Sequence, residues 1–74
     1  MNFESFTESL ASVFNDAVLK RDTKFRDLDG WSSLTGLWLI ALIDEDFGVL
    51  LNAADVRSVN TIGELFDLVK SRKL

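Results

Sequence analysis

Gly30-Trp31-Ser32-Ser33-Leu34, followed by an apolar stretch that ends at Phe47-Gly48, is the segment that decides the fold of this 74-residue chain. The glycine and the two serines indicate a loop that turns into a helix, since a serine hydroxyl at a helix start can accept a hydrogen bond from a free backbone N–H group. The same N–H groups and the positive end of the helix dipole can also hold a phosphate ester. The segment therefore leaves two roles open for Ser32 and Ser33, a helix cap and an attachment site.

The helix that follows these serines is predicted to begin at Ser32 or Ser33 and to end near Phe47, with Gly48 as its C-terminal cap. Within it, one face is predicted to point into the core: Leu34, Leu37, Leu39, Ile40 and Ile43. Trp38 and Leu42 then fall toward the outside. Trp38 is either a partner contact, as is common for tryptophan in binding sites, or it folds down against the preceding loop.

Three further helices are predicted from apolar spacing and capping residues. A first helix over residues 3–19 is indicated by apolar residues three and four positions apart: Phe3, Phe6, Leu10, Val13, Phe14, Ala17 and Val18. A short helix over residues 53–58 is capped by Asn52, and the pair Thr61 and Glu64 forms a capping-box pattern that opens the last helix.

The charged segment 20–31 shows no helical face and is predicted to be a long loop, held to the core by Phe25, Leu28 and Trp31. Loops of that length without structure of their own are often functional. The rest of the core is predicted from the helix faces: Phe6, Leu10, Phe14 and Val18; Leu39, Ile40, Ile43 and Phe47; Ile62, Leu65, Phe66 and Val69.

Composition excludes several classes of function. The chain has no cysteine and no histidine, so it can form neither a disulfide nor a thiolate metal site, and it lacks the usual general base. The longest apolar run, Leu37 to Ile43, spans seven residues, whereas a membrane-spanning helix needs about 20. The net charge of −4 disfavours nucleic acid as a partner. The N-terminus does not resemble a signal peptide, and we expect a cytoplasmic, monomeric protein that is not an enzyme.

Two charged clusters and one glycine have competing interpretations. The acids at 27, 29 and 44–46 lack the spacing of a calcium loop, so we expect solvated carboxylates and no metal site. The basic run from Lys20 to Arg26 is interleaved with acids, which speaks against a DNA-binding surface. Gly36 interrupts the apolar helix either because a prosthetic arm or partner approaches it or because the helix packs tightly on a neighbour.

Three motifs resemble the core motifs of the acyl and peptidyl carrier proteins, and the resemblance covers most of the chain from about residue 28 to residue 69. They are Trp31-Ser32-Ser33-Leu34, Glu45-Asp46-Phe47-Gly48-Val49 and Thr61-Ile62-Gly63-Glu64-Leu65. The resemblance implies an all-α fold, a small carrier-protein-like bundle of three main helices plus one short helix, in a single domain over residues 1–74. The family usually has aspartate directly before the modified serine, where this chain has Ser32.

The resemblance further implies that Ser33 carries phosphopantetheine through a phosphodiester, attached by a phosphopantetheinyl transferase that uses coenzyme A. Such a carrier holds an acyl or aminoacyl group as a thioester and presents it to loading and processing enzymes in fatty acid, polyketide or nonribosomal peptide biosynthesis. Its partner-binding residues would be Leu34, Trp38, Leu42, Glu45 and Asp46. The alternative is a protein-interaction module that keeps the carrier fold without efficient modification, and the replacement of the usual aspartate by Ser32 keeps that alternative open.

Overall fold

The computed structural model describes residues 1–15 and 17–73, so that Asp16 within the predicted first helix and Leu74 lie outside the described residues. The described chain forms four α-helices: α1 (Phe3–Leu10), α2 (Ser33–Phe47), α3 (Ala53–Arg57) and α4 (Ile62–Arg72). A short 3-10 helix, Phe25–Asp27, interrupts the long loop between α1 and α2. No β-strand occurs in the described ranges, where the sole strand-like feature is an isolated bridge between Lys24 and Thr61. The predicted all-α bundle of three main helices and one short helix is confirmed.

Capping side chains fix the N-terminal starts of α3 and α4 at the positions that the sequence predicts. The Oδ1 atom of Asn52 accepts a hydrogen bond from the backbone N–H of Asp55 at 2.9 Å. Thr61 Oγ1 accepts from the N–H of Glu64 at 3.1 Å, and the Glu64 carboxylate accepts in return from the N–H of Thr61. These reciprocal bonds satisfy N–H groups that the helices themselves leave free. Hydrogen bonds between residues three positions apart therefore determine where both helices begin.

The predicted first helix is too long. The helix α1 ends at Leu10, and the next residues form tighter turns, in which the N–H groups of Val13 and Phe14 donate to carbonyls three residues earlier. Asn15 then adopts a φ of +56°, a left-handed conformation that asparagine tolerates better than most residues. Phe14 still reaches the core, but residues 17–20 lie outside any helix and helical spacing no longer applies to them. The predicted core residue Val18 is consequently 80% exposed, and Leu19 is buried in its place.

The core is built around aromatic rings from three helices. Phe6 of α1 is fully buried, and its ring centroid lies 5.4 Å from that of Phe47 in α2 and 5.3 Å from that of Phe66 in α4. Leu39 and Ile43 are the fully buried residues of α2, while Ile40 and Phe47, predicted as core residues, are half-buried at its edge. The core residues predicted for α4 are all buried: Ile62, Leu65, Phe66 and Val69.

The loop between α1 and α2 is held to the core and to α4, as predicted. Phe25 is fully buried, and its ring packs edge-on against Trp31 with the centroids 5.4 Å apart. The backbone N–H of Ile62 donates to the carbonyl of Thr23, and the N–H of Gly63 donates to the carbonyl of Arg21, both at 2.9 Å. The loop thus supplies acceptors for two of the N–H groups at the start of α4. These bonds hold the first part of the loop against the start of α4.

An ion pair between α3 and α4 makes stability depend on pH. The guanidinium group of Arg72 donates two hydrogen bonds to the Asp55 carboxylate, at 2.7 and 2.8 Å, and the N–H of Asn52 donates a third. These bonds lower the pKa of Asp55 below its ordinary value. A lowered pKa in the folded state stabilises the fold above about pH 4, where the unfolded carboxyl is ionised, and this stabilisation is lost as the pH falls through the lower, folded-state value.

We therefore expect the free energy of unfolding to fall more steeply on acidification in the wild type than in Arg72→Gln, in which the pKa of Asp55 returns toward normal. Urea unfolding at neutral pH and at about pH 3 measures this difference. Lys20→Gln removes the same charge from an exposed position and should keep the wild-type dependence. Equal acid sensitivity in Arg72→Gln and the wild type would contradict this assignment.

Candidate functional site

Ser32 is the N-terminal cap of α2. Its Oγ atom accepts a hydrogen bond from the backbone N–H of Thr35 at 3.3 Å, and its extended backbone ends the loop. The hydroxyl of Thr35 donates to the carbonyl of Gly30 at 2.8 Å, which ties the first turn of α2 back to the loop. The predicted start of α2 is therefore confirmed, and the capping role belongs to Ser32.

Ser33 is the first residue of α2 and is exposed. Because Ser32 makes the capping bond, the Ser33 hydroxyl is left without a hydrogen-bond partner among residues 1–15 and 17–73. Its position at the first turn places it beside backbone N–H groups that have no acceptor within the helix, at the positive end of the helix dipole. The Ser33 side chain is thus exposed, and its hydroxyl takes no part in holding the described structure together.

A groove of about 330 Å³ opens beside Ser33, between α2, α3 and the end of the long loop. Its walls are mainly apolar, with two arginines and no acidic residue among the lining side chains: Arg26, Trp31, Ser33, Gly36, Leu37, Ile40, Ala53, Val56 and Arg57. This volume lies within the range of small-molecule sites, about 300–1,000 Å³. The groove can hold a slender, partly apolar group that begins at Ser33.

Gly36 forms part of the groove wall. A Cβ atom added there would lie 3.5 Å from the ring of Trp31, an ordinary van der Waals distance. The packing of α2 on its neighbours therefore does not require glycine at this position. Of the two interpretations left open by the sequence, tight helix packing is not supported, and approach of a prosthetic arm or a partner stays a prediction.

The outer face of α2 is more apolar than predicted. Leu34 and Leu37 are 74% and 62% exposed, although the sequence placed them in the core, and Trp38 is 56% exposed. At 3.6 residues per turn, a helix that buries Leu39 and Ile43 turns Leu34 and Leu37 to its far side. The expectation that Trp38 lies outside is confirmed, so it does not fold down against the loop.

The predicted partner-binding residues divide between two faces of α2. Leu34, Trp38 and Glu45 follow one another at helical spacing on the exposed side, and Asp46 is exposed nearby. Leu42, predicted to point outward, is half-buried and packs against the core, because it lies three residues from Leu39 on the buried side. Within the described ranges no cluster of His, Cys, Asp or Glu could hold a metal ion.

Sequence reasoning missed the two groove arginines as site residues. The sequence alone presents Arg26 as part of a basic run and Arg57 as part of a short helix. Arg26 reaches the groove because its guanidinium group donates to the carbonyls of Val56 and Val59, at 3.0 and 2.6 Å. These are contacts across about thirty positions of sequence, and no local pattern specifies them.

The four-helix arrangement with its long first loop is an acyl-carrier-protein-like fold, which is the fold of a carrier and not of an enzyme. The chain is similar to a solution NMR structure of a holo acyl carrier protein from Geobacter metallireducens. The match has a TM-score of 0.80 and 28% sequence identity, and it covers 95% of this chain and 83% of the other. Neither a protein-family model nor a curated protein sequence matches the chain. No helix in the described ranges combines the length and the apolar character needed to cross a membrane.

Proposed function

We propose that this chain is a discrete carrier protein that holds an acyl or aminoacyl group as a thioester on phosphopantetheine attached to Ser33. It would act as a cytoplasmic monomer in fatty acid, polyketide or nonribosomal peptide biosynthesis. A phosphopantetheinyl transferase would load it, and separate enzymes would charge and process the cargo. The observation that carries the proposal is the exposed, uncommitted hydroxyl of Ser33 on the first turn of α2.

The residues around Ser33 fit such a group. The capping bond is made by Ser32, so a substituent on Ser33 leaves the helix start intact. Free N–H groups of the first turn and the dipole of α2 favour a negatively charged phosphodiester there. The adjacent groove has space and apolar walls for the arm that follows. Since the chain contains no cysteine, the arm would supply the thiol on which the thioester forms.

Loading replaces the hydrogen of the Ser33 hydroxyl. The Oγ atom attacks the phosphorus that bears the pantetheine portion of coenzyme A, and the proton passes to a base of the transferase. The adenosine 3′,5′-bisphosphate portion leaves, so that a new phosphoester bond to Ser33 forms as the phosphoanhydride bond of coenzyme A breaks. The part of this chain is to present an accessible hydroxyl on a well-defined helix start, which is held by the capping bond from Thr35 N–H to Ser32 and by the bond from the Thr35 hydroxyl to the Gly30 carbonyl.

The test is the intact mass of the purified protein after incubation with coenzyme A and a broad-specificity phosphopantetheinyl transferase. We expect a gain of one phosphopantetheine group in the wild type and no gain in Ser33→Ala. Ser32→Ala is the matched control. It should weaken the cap by about 1 kcal/mol and still be loaded. Absence of loading by several transferases would favour the interaction module instead. A gain that survives Ser33→Ala and disappears in Ser32→Ala would move the attachment site by one residue.

We also propose that partners dock on the exposed face of α2 around Leu34 and Trp38, with Glu45 and Asp46 at its acidic end. The first turn of α2 carries no acid. The exposed leucines and tryptophan of the helix form an apolar surface, and one of them, Leu37, also lines the groove. Leu42 would contribute only through its half-exposed edge. Burial of an apolar surface is insensitive to salt, whereas attraction between exposed charges is screened.

Trp38→Ala should raise the KM of the transferase about tenfold, since loss of a tryptophan anchor commonly costs more than 1 kcal/mol. In the wild type, raising the salt from about 0.05 to about 0.5 M should change KM by less than about twofold. Leu50→Ala is the control, because Leu50 is also apolar and exposed but lies outside α2. A steep rise of KM with salt, with Trp38→Ala unchanged, would contradict docking on an apolar face.

A further inference from the structure

The groove beside Ser33 is positively charged in an otherwise acidic chain. Two of its lining side chains are arginines and none is an acid, whereas the whole chain has a net charge of −4. The first turn of α2 contributes no acid either, and Ser32 stands where the carrier family usually has aspartate. A local excess of positive charge between low-dielectric walls attracts anions.

The two groove arginines differ in how they are held. The guanidinium group of Arg26 donates to the carbonyls of Val56 and Val59 and to the side chain of Asn60, and it lies 4.9 Å from the ring centroid of Phe25. These contacts fix Arg26 as part of the wall. Its role is accounted for by the connection that it makes between the long loop and the end of α3.

Arg57, in contrast, has no partner among residues 1–15 and 17–73. Of the four arginines in the chain, Arg21 pairs with Asp67, Arg72 pairs with Asp55, and Arg26 is held as described. Arg57 is the last residue of α3, is exposed, and forms no hydrogen bond or ion pair with another residue in the described ranges. Its guanidinium group is therefore available to an anion that enters the groove.

We infer that Arg57 is a positioning residue that pairs with the phosphodiester on Ser33 and so holds the first part of the arm against α3. This inference rests on the proposed function. Both residues line the same groove, and the planar guanidinium group matches phosphate oxygens with two parallel hydrogen bonds. An arm held in this way follows the groove instead of extending freely into solvent.

The experiment compares the apo and the loaded protein by NMR, with intact mass as proof of loading. We expect the side-chain Nε–H signal of Arg57 and the amide signals of α3 to shift on loading. Raising the salt from about 0.05 to about 0.5 M should reduce these shifts severalfold, because an exposed ion pair is screened. In Arg57→Gln the shifts of the α3 amides should fall at least about twofold, and Arg57→Lys should restore part of them, since lysine keeps the charge without the planar fork.

Lys20→Gln is the matched control, because it removes one exposed positive charge outside the groove and should leave the shifts unchanged. Loading with no change at the Arg57 Nε–H would overturn the inference and leave the proposed function intact. A shift that occurs only after a cargo with its own carboxylate is attached would also overturn it, since the anion would then be the cargo. Failure of Ser33 to be loaded at all would overturn both.

Discussion

Phe6→Ala should leave the protein largely unfolded at room temperature. Phe6 is fully buried between the rings of Phe47 and Phe66, so its removal opens a cavity where α1, α2 and α4 meet. Replacement of a buried phenylalanine by alanine costs about 3–5 kcal/mol. A single core in a chain of this size rarely supplies more than about 3–5 kcal/mol of net stability. The expected loss is therefore comparable to the whole free energy of unfolding.

Urea unfolding followed by far-UV circular dichroism measures this loss. Val18→Ala is the matched control, because apolar spacing assigns Val18 to the same helix face, whereas the structure leaves it exposed. That variant should change the free energy of unfolding by less than about 0.5 kcal/mol. A destabilisation of more than 1 kcal/mol in Val18→Ala would support the longer first helix, against the structure. Near-wild-type stability of Phe6→Ala would show that the aromatic cluster is not the centre of the core.

The second large effect concerns two helical glycines, at which replacement by alanine should change the free energy of unfolding in opposite directions. Gly63→Ala places a Cβ atom 2.7 Å from the backbone carbonyl oxygen of Arg21, closer than a Cβ atom normally comes to an oxygen. The N–H of Gly63 donates to the same oxygen. The loop must then move away from α4, and such overpacking costs about 1–3 kcal/mol. In Gly36→Ala the added atom meets Trp31 at 3.5 Å, an ordinary contact. That variant should gain up to about 1 kcal/mol from helix propensity.

The same unfolding measurement tests both glycines, and each serves as the control for the other. Helix propensity alone predicts that both variants are stabilised by similar amounts. A loss of stability in Gly63→Ala with a gain in Gly36→Ala would show that the clash with the Arg21 carbonyl outweighs the gain in helix propensity. Stabilisation of both variants would mean that the loop can move away from α4 without loss.

The starts of α2, α3 and α4 could be predicted from sequence because each depends on residues within three positions of one another. Ser32, Asn52 and Thr61 cap their helices through bonds to the third residue that follows. The end of α2 at Gly48 is equally local, since the left-handed φ of +69° there favours glycine. The position of Ser33 at the first turn of α2 follows directly from these caps.

The parts that could not be predicted depend on contacts between distant segments. Apolar spacing continues past Leu10, but the turn at Asn15 ends the helical register and exposes Val18. From Leu34 to Ile43 most residues of α2 are apolar, so the pattern does not distinguish the face of Leu39 and Ile43 from that of Leu34 and Leu37. Which face is buried depends on where α1 and α4 pack. The placement of Arg57 in the groove depends in the same way on the packing of α3 beside α2.

The two hydrogen bonds from Ile62 and Gly63 to the loop carbonyls of Thr23 and Arg21 bear on how this protein can be re-engineered. By length and charge, segment 20–31 looks like the natural place to insert a tag, a label or a second domain. Its first half, however, supplies acceptors to the start of α4, so an insertion there would leave the N–H groups of Ile62 and Gly63 without hydrogen-bond acceptors. The connection between α2 and α3 is no better, because the exposed Leu50 lies between Val49 and Leu51, which are both buried in the core. A fusion that must leave Ser33 and the fold around it undisturbed should therefore avoid both connections.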